Sequence, residues 1–294
     1  MPWRGVLAAT ALLVLVVGCG GEPPPAGQLP VAAEDPGLIH VHRLAVDPED
    51  PEALYIATHT GLFLSRGGQA AERIGDRFHD LMGFTITADS RFLASGHPDL
   101  RDGSLQLTDA PPLLGIVESP DGGATWDSVS LLGETDFHAL EARHDRLYGA
   151  DSTSGRFMVS EDGVEWETRS SPGLQVMAVD PEDPAVIVGA GGATPLRSTD
   201  GGRTWSPLDG PTTSLESAAV SAVAWSTELY AGSADGSISA SSDAGSSWET
   251  RGNVGGGVEA LLASGDALFA AAQDVGILRS EDGGRTWVAA VEQS

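Results

Sequence analysis

One short pattern occurs five times along this chain and limits its fold more than any other feature. The copies are Ser119-Pro-Asp121-Gly-Gly123-Ala-Thr125-Trp126, Ser160-Glu-Asp162-Gly-Val-Glu-Trp166, Ser198-Thr-Asp200-Gly-Gly202-Arg-Thr204-Trp205, Ser241-Ser-Asp243-Ala-Gly245-Ser-Ser247-Trp248 and Ser280-Glu-Asp282-Gly-Gly284-Arg-Thr286-Trp287. The Asp-to-Asp intervals are 41, 38, 43 and 39 residues. A degenerate sixth copy, Ser65-Arg-Gly67-Gly68, stands 54 residues before Ser119, so an insertion lies between them. Self-similarity at this period is the mark of a repeat architecture whose units bury their apolar faces against one another. The residues suit a tight hairpin: Ser and Asp side chains bond nearby backbone, Gly allows positive φ, and Trp has a large face to bury.

A second element recurs between the copies. Ala53-Leu-Tyr55-Ile-Ala-Thr58, Arg91-Phe-Leu-Ala-Ser95, Arg146-Leu-Tyr148-Gly-Ala150, Ala185-Val-Ile-Val-Gly189, Glu228-Leu-Tyr230-Ala-Gly232 and Ala267-Leu-Phe269-Ala-Ala271 are short β-prone runs. Each follows a turn and another apolar run, and the turn Asp47-Pro-Glu-Asp-Pro51 returns unchanged as Asp180-Pro-Glu-Asp-Pro184. Four strands per repeat, A to D, account for the pattern, with the Ser-Asp-Gly-Trp hairpin between C and D. Residues 38–294 hold six such units of about 43 residues each, which predicts a six-bladed, all-β propeller of four-stranded antiparallel blades. A strand swapped in to close the ring is not evident beyond the short run Leu29 to Val31.

The hairpin segments resemble the Asp-box, or BNR repeat, of sialidases, sortilin-type receptors and related bacterial propellers. That resemblance implies the same fold and casts the box aspartates as hairpin braces. It does not extend to sialidase chemistry: Tyr55, Tyr148 and Tyr230 all share one buried strand B position, the N-terminal Phe/Tyr-Arg-Ile-Pro motif is missing, and no arginine triad is evident around Arg43. The motifs His40-Val-His42, Thr58-His-Thr-Gly-Leu-Phe63, Met82-Gly-Phe-Thr85, Ser95-Gly-His-Pro-Asp99 and Asp136-Phe-His-Ala-Leu140 look like a bacterial envelope family often labelled glycosyl hydrolase. A glycoside hydrolase of unassigned specificity is therefore the alternative reading, with Asp80, Asp99, Asp151 and Glu259 as candidate carboxylates.

The N-terminus carries an address. Arg4, an apolar run from Val6 to Val17 and the small residue Gly18 form a secretory signal too short to span a bilayer. Val16-Val17-Gly18-Cys19 resembles the bacterial lipobox, which implies lipidation of Cys19, the only cysteine in the chain. The expected domains are a signal peptide over 1–18, a Gly/Pro-rich tether over 19–37 and the propeller over 38–294, held outside the cytoplasm at the cell envelope. A single cysteine excludes a disulfide framework and a multi-cysteine zinc site. The 16 basic residues are all arginine, so lysine Schiff-base and P-loop chemistry are excluded, and a net charge of −26 argues against nucleic acid.

The seven histidines fall between His40 and His144. In a propeller the starts of strands A, the ends of strands B and the B–C loops share one face, opposite the hairpins between C and D. His40, His42, His79 and His138 open strands A of blades one to three; His59 and His97 follow strands B of blades one and two. His144 falls in an A–B turn on the other face, where solvent exposure is expected. Gln175, Ser221 and Glu259 take the A positions of blades four to six, and Asp151 is the blade-three counterpart of His59. The candidate ligand-binding set is His40, His42, His59, His79, His97, Asp99 and His138. A transition metal would draw on His42, His59, His97 and His138, because neutral imidazole is the commonest nitrogen donor; no cofactor is fixed by sequence. A glycan or an envelope protein are the other partners this face suits. The long B–C connection of blade two, residues 97–115, is expected to wall the same face.

Overall fold

The computed structural model describes residues 35–191, 194–208 and 220–292. The leader 1–18, Cys19, most of the tether and Leu29–Val31 lie outside the described residues. Residues from Gly37 onward form one compact unit. It is built of six sheets, each of four consecutive antiparallel strands, as the repeat predicts. Strands A are Val41–Val46, Asp80–Ile86, Phe137–Arg143, Val176–Val179, Val220–Trp225 and Val258–Ser264. These innermost strands contact one another round the ring, that of blade six packing on that of blade one. No strand is exchanged between the described sheets. The seam is closed instead by packing of Val41, Leu44, Ile56 and Phe63 against Ala260, Ala271 and Ile277, and by Glu292 N–H donating to Gly68 O at 2.9 Å.

The hairpin sequence explains how one blade holds the next. In each complete copy the buried serine Oγ accepts a glycine N–H and donates to the aspartate, as in Ser198 with Gly202 (2.8 Å) and Asp200 (2.8 Å). Asp200 then accepts the N–H and hydroxyl of Thr204 at 2.9 and 2.6 Å. This leaves Trp205 aimed backwards: its ring meets Phe157 of blade three at 5.4 Å and its Nε1 donates to Ser170 Oγ of blade three at 3.0 Å. Trp166 repeats the arrangement with Ser130 of blade two at 3.2 Å. Tyr55, Tyr148 and Tyr230 are buried at equivalent strand B positions. The hairpin tryptophan of five blades, and the strand B tyrosine of three, thus give those blades a face for a neighbour, and burial of such a side chain contributes on the order of 2–3 kcal/mol.

Candidate functional site

The axial mouth is made by a feature the sequence pattern does not show. In five blades strand A carries a β-bulge near its start, with one residue left unpaired against strand B: His42, Met82, His138, Ser221 and Glu259. Blade four has no bulge, and Gln175 holds the place just before its strand A, donating its N–H to Ala190 O. A bulge bends its strand and re-aims the extra side chain. These six residues all line one cavity of about 260 Å³ at the axis. His42, His138, Gln175, Ser221 and Glu259 all stand in this ring. In blade two the ring residue is Met82 rather than His79, because the bulge falls three residues further along.

Around this ring the imidazoles and carboxylates form an arc. His42 Nε2 lies 3.1 Å from His59 Nδ1 and 3.1 Å from Asp80 Oδ1, and His59 Nδ1 lies 2.8 Å from the same Asp80 oxygen. His40 stacks on His59 with centroids 5.0 Å apart and joins His42 and His59 in a group whose ligand atoms lie within 4.8 Å of one another. Its Nδ1 is 2.8 Å from Glu259 Oε1. On the far side of Asp80, His97 bridges two carboxylates, 3.6 Å from Asp80 and 3.7 Å from Asp136. Asp136 also meets His138 Nε2 at 3.0 Å, and His138 Nδ1 lies 2.8 Å from Gln175.

The three atoms of His42, His59 and Asp80 cannot all be satisfied by protons. The N···N contact needs one nitrogen bare, while the two N···O contacts need both nitrogens protonated. Burial pulls the His42 imidazole down, against Asp80, and so favours its neutral form. Burial pushes the Asp80 carboxyl up, but the imidazoles of His42, His97 and His59 outweigh it and hold the group far below the usual carboxylate range. Asp80 in turn raises His97.

Three predicted residues lie outside this cluster. His79 is 2% exposed, and its Nδ1 accepts the Asp99 N–H at 2.9 Å. Asp99 is spent on the Phe78 N–H at 2.9 Å and on the Arg101 guanidinium. Together they pin the start of the B–C connection of blade two, whose Leu105 and Leu114 are buried in the core between blades one and two. Asp151 is fully buried and accepts from Asp136 N–H, Thr153, Ser154 and Arg156, which fixes the B–C turn of blade three. His144 is half-buried rather than exposed, with Nε2 2.7 Å from Asp180 O. Asp136, which sequence reasoning passed over, joins two histidines; its place two residues before His138 was the available signal.

A family model described as the DUF6242 beta propeller domain matches residues 178–294. No curated protein matches the chain. Among solved structures, the GH74 xyloglucanase of Xanthomonas campestris is 17% identical over 86% of this chain and 45% of its own, with a TM-score of 0.58. YCF48 bound to D1 peptide is 16% identical over 86% of this chain and 82% of its own, TM-score 0.54. A chain of a nidogen/laminin complex is 10% identical over 80% and 91%, TM-score 0.57. The chain spans less than half the length of the GH74 enzymes it matches. At these identities the likeness is one of fold.

Proposed function

We propose that this protein is an envelope-anchored propeller that binds one divalent transition-metal ion at its axial mouth. His42, His59 and Asp80 are the ligands, and His40 supplies a fourth. The observation that carries the reading is the triangle of 3.1, 3.1 and 2.8 Å among three donor atoms. A metal about 2.1 Å from each would stand about 1.2 Å above their plane, with ligand–metal–ligand angles of about 90°. A tetrahedral ion with such bonds needs donors about 3.4 Å apart, so the spacing favours a six-coordinate or tetragonal ion over zinc. Glu259 on His40 supplies the outer contact that orients a ligating imidazole. The anchor in this reading is the lipid on Cys19.

The test uses the full chain stripped with chelator and titrated with Co(II), Ni(II), Cu(II) and Zn(II). One equivalent is expected to bind, with the weak visible absorption of six-coordinate Co(II). Loss of an outer-shell partner alone costs about 10–100-fold in affinity, so His59→Ala and Asp80→Asn should each cost more than about 100-fold. Absence of one-to-one binding, or binding that survives both substitutions, overturns the proposal. The anchor is checked by detergent-phase partition: Cys19→Ser should move the chain to the aqueous phase.

The hydrolase alternative draws on the likeness to the Xanthomonas xyloglucanase. A glycosidase acid needs a carboxyl raised enough to stay protonated. Asp80, Asp99 and Asp151 are all held below the usual range, and the last two are spent on protein contacts. This supports the metal reading. Turnover of xyloglucan oligosaccharides that is abolished by Asp80→Asn would reverse the preference.

A further inference from the structure

Beneath the histidines lies a cation to which no carboxylate bonds. Arg43 follows the bulge residue His42 and lines both the mouth and the channel of about 220 Å³ below it. Its Nη1 donates to His42 O at 2.8 Å and its Nη2 to His138 O, two neutral carbonyls from blades one and three. Most arginines of the fold lie within 4 Å of a carboxylate; among the described residues Arg43 has none so placed. The other charges lining the channel are Glu141 and Arg143; Glu141 attracts Arg43 through space, but its bonds go elsewhere: Arg143 Nε donates to Glu141 Oε1 at 2.8 Å, while Glu141 Oε2 accepts the Val179 N–H at 3.1 Å. The carboxylates of the mouth are likewise engaged, Glu259 by His40, Asp80 by His42 and His59, Asp136 by His138.

A guanidinium has five N–H donors in one plane, matched to the paired oxygens of a carboxylate or oxyanion. Two donors are spent on carbonyls, and three have no protein acceptor among the described residues. A half-buried cation with no carboxylate bonded to it is costly, and this chain holds 42 acidic residues from which one could have been supplied. Its walls are the bulged starts of strands A, which leave room for a ligand of a few heavy atoms.

We propose that Arg43 is an anion subsite at the floor of the mouth, where it clamps the carboxylate or oxyanion end of a small ligand entering over the histidine face. The inference stands apart from the metal reading, since the guanidinium holds its place whether or not a metal sits above it. When a metal is bound, the same anion has a second positive partner across the mouth.

The full chain, chelated and metal-loaded in separate arms, is titrated with acetate, sulfate and inorganic phosphate by calorimetry, and the melting temperature is followed in parallel. The chelated wild type should bind at least one of the three saturably at millimolar concentration, and Arg43→Gln should weaken that binding at least tenfold. Because Arg43→Gln also breaks two carbonyl contacts and risks misfolding, Glu141→Gln provides a gain-of-binding arm. It removes the channel carboxylate and frees Arg143, so anion affinity should rise several-fold. Acetate preference identifies a carboxylate ligand; sulfate or phosphate preference identifies an oxyanion. No saturable binding by the chelated wild type, or binding that Glu141→Gln fails to strengthen, overturns the proposal. Anion binding seen only in the metal-loaded arm overturns it as well, leaving the metal reading intact.

Discussion

Ser198→Ala isolates what the repeated hairpin contributes to stability. Ser198 is 1% exposed, and its Oγ accepts the N–H of buried Gly202 at 2.8 Å. Alanine fits the space and removes the acceptor, leaving a donor that water cannot reach. An orphaned buried N–H costs about 1–3 kcal/mol. The other group the hydroxyl serves, Asp200, faces solvent and is rehydrated, so it adds little. The expected loss is therefore about 1–3 kcal/mol, read as a lower urea midpoint with an unchanged denaturant slope. Ser119, Ser160, Ser241 and Ser280 make the same bond to Gly123, Gly163, Gly245 and Gly284 at 2.7, 2.8, 2.8 and 2.9 Å, so each should behave alike. Ser65 is the internal control. In the degenerate hairpin its Oγ donates to the carbonyl of exposed Gln69 at 2.6 Å, which water can take over. Ser65→Ala should cost under about 0.5 kcal/mol. A Ser198→Ala midpoint indistinguishable from wild type, or a Ser65→Ala loss as large as the rest, would refute the assignment of these segments to hairpin bracing. Metal affinity should be unchanged in all six variants, because the hairpins lie at the opposite face from His40, His42, His59 and Asp80.

Three further outcomes follow from individual contacts. Burial pushes the Asp99 carboxyl up, but the Arg101 guanidinium and the N–H groups of Phe78 and Arg101 outweigh it and hold the group below the usual range. A depressed carboxyl contributes stability above its unfolded pKa of about 3.9 and loses it as pH falls; the urea-midpoint gap between wild type and Asp99→Asn should therefore be widest near neutrality and shrink below about pH 4. Gly96 has φ +136° and a Cβ there would stand 2.0 Å from Asp80 O, so Gly96→Ala should displace the start of strand A in blade two, lower the melting temperature and weaken metal binding measured by titration. Leu114 is fully buried in the core between blades one and two, and Leu114→Ala should cost about 2–5 kcal/mol in chemical denaturation.

The fold was legible because each blade repeats its own local chemistry. Serine, aspartate, glycine and tryptophan at fixed offsets specify a hairpin within about eight residues, and the interval between hairpins counts the blades. Tyr55, Tyr148 and Tyr230 could be assigned to buried strand B positions for the same reason: they sit at one place in the repeat. That His40, His42, His59, His97 and His138 share a face also follows from repeat position alone.

Which of them meet is decided elsewhere. Along a regular strand side chains alternate with a period of two, and one unpaired residue shifts that register. The bulges of strands A send His42, Met82 and His138 to the axis, while His79 enters the core beside Asp99, a choice no reading of the histidine spacing could make. Asp80 touches His42 and His59 across a blade boundary, and Asp136 touches His97 across another. Local sequence thus determined the blades, their number and the face that carries the histidines. Closing the blades into a ring decided the partners of each imidazole and left Arg43 on carbonyls alone, because contacts between blades depend on side-chain directions that are set only once the bulged strands converge on the axis.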